Sequence, residues 1–140
     1  RYNQTSHVIF GHLLKPEYIE KYEVFKKSNE ADAENQELVL AKIQLGSQLD
    51  GHKGVVHGGI LSLLFDDAMG CAFSAMGIEV AFTANLNVDY RAPVPANSNV
   101  VIRVRLSKQE GRKLFFSAQM TNPDFSLLYA EGTTLYIIPR

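Results

Sequence analysis

The chain has 140 residues, a formal net charge of −1 and a sequence pI of about 6.5, so no broad basic field marks it for nucleic acid. Hydrophobic residues make up 46% and charged residues 21%, ordinary globular usage that excludes a disordered chain. A single cysteine, Cys71, excludes an internal disulfide and fits a reducing compartment, and no apolar run approaches the ~20 residues of a membrane span.

In chain order, Lys15 to Asn29 (KPEYIEKYEVFKKSN) reads as an amphipathic helix. Pro16 suits a first turn, and Tyr18, Ile19, Tyr22, Phe25 and Lys26 fall at helical spacing. Asn29 to Gln36 is polar and reads as a loop. Glu37 to Leu45 (ELVLAKIQL) favours a strand by its Leu, Val and Ile content and its alternation around Lys42 and Gln44. The following GSQLDGHKGVV is glycine-rich and irregular, and it leads into a His-Gly-Gly turn at His57 to Gly59. Gly59 to Met76 is predicted as a long central helix. Beyond Gly77 the period changes to two: Phe82, Ala84, Leu86, Val88 and Tyr90 alternate with Thr83, Asn85, Asn87, Asp89 and Arg91. NVVIRVRLSKQ, KLFFSAQMTN and LLYAEGTTLYII read as three more strands, joined by the turns QEGRK and NPDFS. Four successive strands with short turns imply an antiparallel sheet with the long helix on its face. The prediction is one α+β domain over residues 1–140, with residues 15–29 as an N-terminal helical extension.

The central helix carries the chemistry. Around the helical wheel, Ile60, Leu61, Leu64, Phe65, Ala68, Met69, Cys71, Ala72, Ala75 and Met76 cover about half the circumference. Asp66 falls near the middle of the opposite arc, among Ser62, Gly70 and Ser74, and Asp67 falls nearer the apolar edge. A small, semi-apolar arc of this kind suits a surface that meets another molecule or subunit. At the helix entry, Gly58 and Gly59 allow close backbone approach, and the first N–H groups are free donors for an oxyanion. A donor and a carboxylate on one element are parts for acyl transfer. However, Gly58 and Asp66 are eight residues apart, about 12 Å along a helix, too far for both to touch one reacting carbon. If they share a substrate, they come from two subunits, so the helix alone predicts a dimer. His52 and His57 stand five apart with no third ligand, and no P-loop, G-x-G-x-x-G, C-x-x-C, H-E-x-x-H or G-x-S-x-G is present.

The stretch HGGILSLLFDDAMG resembles the H-G-G-x6-D-x-x-x-G pattern of hotdog-fold thioesterases of the phenylacetyl-CoA thioesterase type. TANLNVDYRAPVP, EGRKLFFSAQMTN and LYAEGTTLYI are similar to one branch, the mitochondrial acyl-CoA thioesterases called thioesterase superfamily members. The similarity runs from about Gln44 to Ile138. It implies a hotdog fold, a long central helix wrapped by a curved antiparallel sheet, with active sites at the interface of a homodimer or a tetramer of dimers. It also implies a role in fatty acid metabolism, in the mitochondrion by resemblance alone and otherwise in the cytoplasm.

Carried over by position, Asp66 falls on the family's catalytic acid, nine residues after His57, and Gly58 on the residue whose N–H binds the thioester oxygen. His57 falls on the histidine that opens the site, and Thr83 on the threonine near the attacking water. Asp89, Arg91, Val101 and Arg112 match positions lining the coenzyme A site, with Gly59 beside them as a further substrate contact. The expected reaction is hydrolysis of a fatty acyl-CoA to free acid and coenzyme A, with Asp66 activating water or attacking directly. No cofactor or metal is expected, coenzyme A being part of the substrate. Two other readings stand beside it: a non-catalytic acyl-CoA sensor or scaffold, and a hotdog enoyl-CoA hydratase, whose Asp and His would be spaced differently. Each of these residues also has a purely structural role open to it: His57 caps its turn, Thr83 favours its strand, and Arg112 with Lys113 forms a solvated hairpin turn.

Overall fold

The computed structural model describes residues 7–27 and 36–140. A six-stranded antiparallel sheet holds β1 (Ile19–Lys26), β2 (Glu37–Leu45), β5 (Phe82–Tyr90), β6 (Asn99–Glu110), β7 (Lys113–Thr121) and β8 (Leu128–Ile137) in the order β1-β2-β6-β7-β8-β5. A small two-stranded ribbon, β3 (Asp50–His52) and β4 (Val55–Val56), forms within the glycine-rich segment that read as irregular. The helix α1 spans Gly58–Ala75 and packs on one face of the sheet. β2, α1 and the four later strands follow the sequence reading closely.

Leu61, Leu64, Phe65, Ala68, Met69 and Ala72 form the buried stripe of α1. They meet inward residues of the sheet, among them Ile102, Val104, Leu106, Leu114, Phe116 and Met120. Gly132 on β8 lets the helix sit close: a Cβ there would lie 3.0 Å from the Phe65 ring and 3.3 Å from Met69. The helix ends where Gly77 turns left-handed at φ +83°, with Gly77 N–H bonded to Ser74 O and Ile78 N–H to Phe73 O, a Schellman closure.

The N-terminal helix expected over Lys15 to Asn29 is not there. Ile19–Lys26 is the edge strand β1, paired antiparallel with β2 through Tyr22↔Ile43 and Val24↔Ala41. A short π-helical stretch, Val8–Leu13, precedes it. The helical spacing of Ile19, Tyr22 and Lys26 is mimicked by an irregularity between Ile19 and Lys21, which shifts the strand's phase so that Ile19, Tyr22 and Val24 all turn inward. Pairing with an open edge then outweighs local helical propensity. Asn29 and most of the polar stretch Asn29 to Gln36 lie outside the described residues.

Candidate active site

The two carboxylates of α1 have separate environments. Asp66 Oδ1 accepts from Thr83 Oγ1 at 2.9 Å and from Tyr136 OH at 2.7 Å, and Tyr136 OH also lies 2.5 Å from Asp66 O. Asp67 is held by Tyr22 OH at 2.6 Å and lies 3.3 Å from His7 Nε2. Burial, and then the Asp67 charge, pushes the Tyr22 phenol far above its ordinary pKa, so it remains a donor. The two neighbouring carboxylates thus bond to different strands, Asp66 to β5 and β8 and Asp67 to β1. An open groove of about 570 Å³ runs past both, with Val8, Leu63, Cys71 and Phe73 as its apolar walls. Burial, helped by Asp67, raises the Cys71 thiol to about 11.

Thr83 reaches Asp66 because β5 carries a bulge. Strict alternation places Thr83 opposite Leu86, Val88 and Tyr90. The pairing with β8 steps from Thr83↔Tyr136 to Asn85↔Leu135, leaving Ala84 as an extra residue that reverses the phase. Thr83 turns toward the helix with Leu86 and Val88, and Phe82 is left 64% exposed.

At the N-terminal end of the helix, His57 is the N-cap, and its Nδ1 accepts from Gly59 N at 2.8 Å. His57 O accepts from Ile60 N at 3.0 Å and Leu61 N at 3.3 Å. Among the described residues the Gly58 N–H has no acceptor, so it is the donor left free at the positive end of the helix dipole. The Gly59 N–H is already spent on the cap. Tyr90 OH, from the far end of β5, donates to Gly58 O at 2.8 Å and lies 2.6 Å from Ser62 Oγ, fixing the turn.

The coenzyme A candidates are scattered within one chain. Asp89 and Arg91 sit at the Gly58 end of the sheet; Arg91 Nη2 and Nε lie 2.9 and 3.1 Å from Glu131 Oε2, and Asp89 stands opposite Glu131 in register. Arg112 is at the Asp66 end, where its Nη1 donates to Ile138 O at 2.9 Å. From Glu131 to Ile138 is seven strand residues, roughly 23 Å. Val101 is buried on the sheet face away from the helix, lining a groove with Lys42, Pro123 and Phe125. One chain thus holds two half-sets: His57, Gly58, Gly59, Asp89 and Arg91 at one end, and Asp66, Thr83 and Arg112 at the other.

The family profile described as the thioesterase superfamily matches residues 53–127, which contain both half-sets. The chain belongs to the thioesterase superfamily. Acyl-coenzyme A thioesterase THEM4 of Rattus norvegicus is 34% identical over 142 residues, covering 94% of this chain and 60% of its own length. This thioesterase superfamily chain thus spans about three fifths of that relative. A Candida albicans protein described as uncharacterized and mitochondrial is 27% identical over 115 residues, covering 78% of this chain and 51% of its own length. A hypothetical thioesterase from Streptococcus pneumoniae, crystallised with coenzyme A, superposes with a TM-score of 0.73 at 18% identity, covering 85% of this chain and 89% of its own. The fold is therefore the hotdog fold of the thioesterase superfamily.

Sequence reasoning about this thioesterase superfamily member missed its tyrosines. Tyr90 and Tyr136 read as apolar members of strand patterns, and Tyr22 as part of a helix. Each places a hydroxyl on α1 across a long sequence separation, which local spacing does not reveal. The available signal was chemical: a tyrosine on an inward strand position needs a hydrogen-bond partner, and the helix offers few polar groups beside the two aspartates.

Proposed function

We propose that this chain is the catalytic part of an acyl-CoA thioesterase that works as a homodimer. The observation that carries the reading is the placement of the two half-sets at opposite ends of β5. β5 is an edge strand, and none of its nine residues is buried. An exposed edge invites pairing with a second copy, and a two-fold axis makes that pairing antiparallel and self-complementary. Antiparallel pairing of two β5 edges brings the Thr83 end of one chain to the Tyr90 end of the other. Asp66 and Thr83 then face the partner subunit's Gly58, and Arg112 approaches the partner subunit's Arg91. A single chain has half of each site; the pair has two whole ones.

The chemistry follows from the donors. A water on the Asp66 carboxylate attacks the thioester carbon and gives its proton to Asp66. The carbonyl oxygen becomes an oxyanion, stabilised by the partner's Gly58 N–H and the helix dipole behind it. The C–S bond breaks, the sulfur leaves with the proton as coenzyme A thiol, and the acid is released. The apolar walls at Leu63 and Phe73 suit the acyl chain, and the arginines suit the phosphates. No cofactor takes part. Mitochondrial residence is proposed from the Candida relative's description.

The test is thiol release from acyl-CoAs of graded length with wild type and Asp66→Asn. Loss of 10²-fold or more in the variant, with the fold intact, supports the reading. Full turnover in Asp66→Asn overturns it, and tight binding without release by wild type assigns the chain to an acyl-CoA sensor.

A further inference from the structure

We infer that Tyr136 is a positioning residue of this site: with Thr83 it pins Asp66 Oδ1, leaving Oδ2 as the oxygen that takes the proton from water. This rests on the reading of Asp66 as general base. Thr83 and Tyr136 are direct cross-strand partners on β5 and β8, so their hydroxyls reach one carboxylate oxygen from adjacent strands. Among the described residues Oδ2 accepts no hydrogen bond. Rotating the carboxylate would break both contacts at once, so the free oxygen has one orientation.

The tyrosine is built to hold still. The residue is 3% exposed, and its ring meets Phe73 and Phe116 edge-on, with centroids 5.3 and 5.9 Å away. Its single phenol proton faces both Asp66 O and Oδ1, so it fixes the helix backbone and the carboxylate together. Burial, followed by the bond to Asp66, holds the phenol well above its ordinary pKa, so it donates at every pH of interest.

The experiment is the steady-state kinetics of acyl-CoA hydrolysis for wild type, Tyr136→Phe and Asp66→Asn. Phenylalanine keeps the ring between Phe73 and Phe116 and removes only the donor. The expected result is a kcat lowered about 10-fold or more with KM little changed. Incorporating 3,5-difluorotyrosine at position 136 strengthens the donor at the cost of two small fluorines, and changes kcat while KM again stays. That arm also decides the matter if Tyr136→Phe does not fold. An unchanged kcat in both variants, beside an inactive Asp66→Asn, overturns this inference alone. Retained turnover in Asp66→Asn removes the general base, and the inference with it.

Discussion

At the residue scale, Gly58 offers the sharpest substitution in the site. Its role in the proposed reaction is one N–H, and proline removes that group alone. Proline is favoured at the first position of a helix, and His57 already has the extended backbone that must precede a proline, at φ −59° and ψ 132°. Gly58→Pro is therefore expected to melt near wild type while kcat falls by about 10²-fold or more, the cost of losing an oxyanion donor. Thermal melting beside thiol release checks both halves; unchanged kcat removes Gly58 from the reaction. Cys71 gives a second prediction. With its thiol pushed from 9.0 up to about 11, it carries roughly 100-fold less thiolate at neutral pH than an unperturbed cysteine. Its alkylation by iodoacetamide should be slow at pH 7.5 and accelerate steadily up to about pH 11. A rate typical of a free thiol at pH 7.5 contradicts the burial argument. Asp66 and Gly58 stood out in the sequence because one helix and its His-Gly-Gly entry carry both, and Thr83 stood out by resemblance alone. Tyr136 did not, because only the pairing of β5 with β8 brings it to Asp66.

At the element scale, the helix and the later strands were legible because each has one clear period. The N-terminal segment was not, because the irregularity in β1 gives a strand the apolar spacing of a helix. The bulge in β5 had the same effect in miniature: perfect alternation in the sequence put Thr83 on the wrong face, and one extra residue turned it back. How closely α1 lies on β8 also sets the site, since Asp66 is on one and Tyr136 on the other. Gly132→Ala places a methyl against Phe65, so it should cost about 1–3 kcal/mol by overpacking. Paired with Phe65→Leu, the loss should be smaller than the sum of the two single changes, as denaturant unfolding will show. Strict additivity would mean that Gly132 does not set the helix height.

At the scale of the whole molecule, the proposed site divides its labour between two chains. Asp89 and Arg91 stand roughly 23 Å from Arg112 along the sheet of one chain, and Gly58 stands about 12 Å from Asp66 along its helix. In the proposed dimer, an antiparallel meeting of two β5 edges would close both gaps with one symmetry axis. The exposure of Phe82 at 64% and Tyr90 at 52%, at the two ends of that edge, fits an unpaired surface. The 12 Å argument was available from sequence; the edge that answers it needed the strand order.

The decisive measurement is subunit complementation. Gly58→Pro and Asp66→Asn chains, each inactive alone, are co-expressed with different tags and the mixed dimer is isolated. In that dimer one site combines the intact Asp66 of the first chain with the intact Gly58 of the second, and the other site has both defects. A site shared between subunits gives about half of wild-type kcat per dimer from the mixed species, with each parent homodimer inactive. A mixed dimer as inactive as its parents would contradict a site shared between subunits.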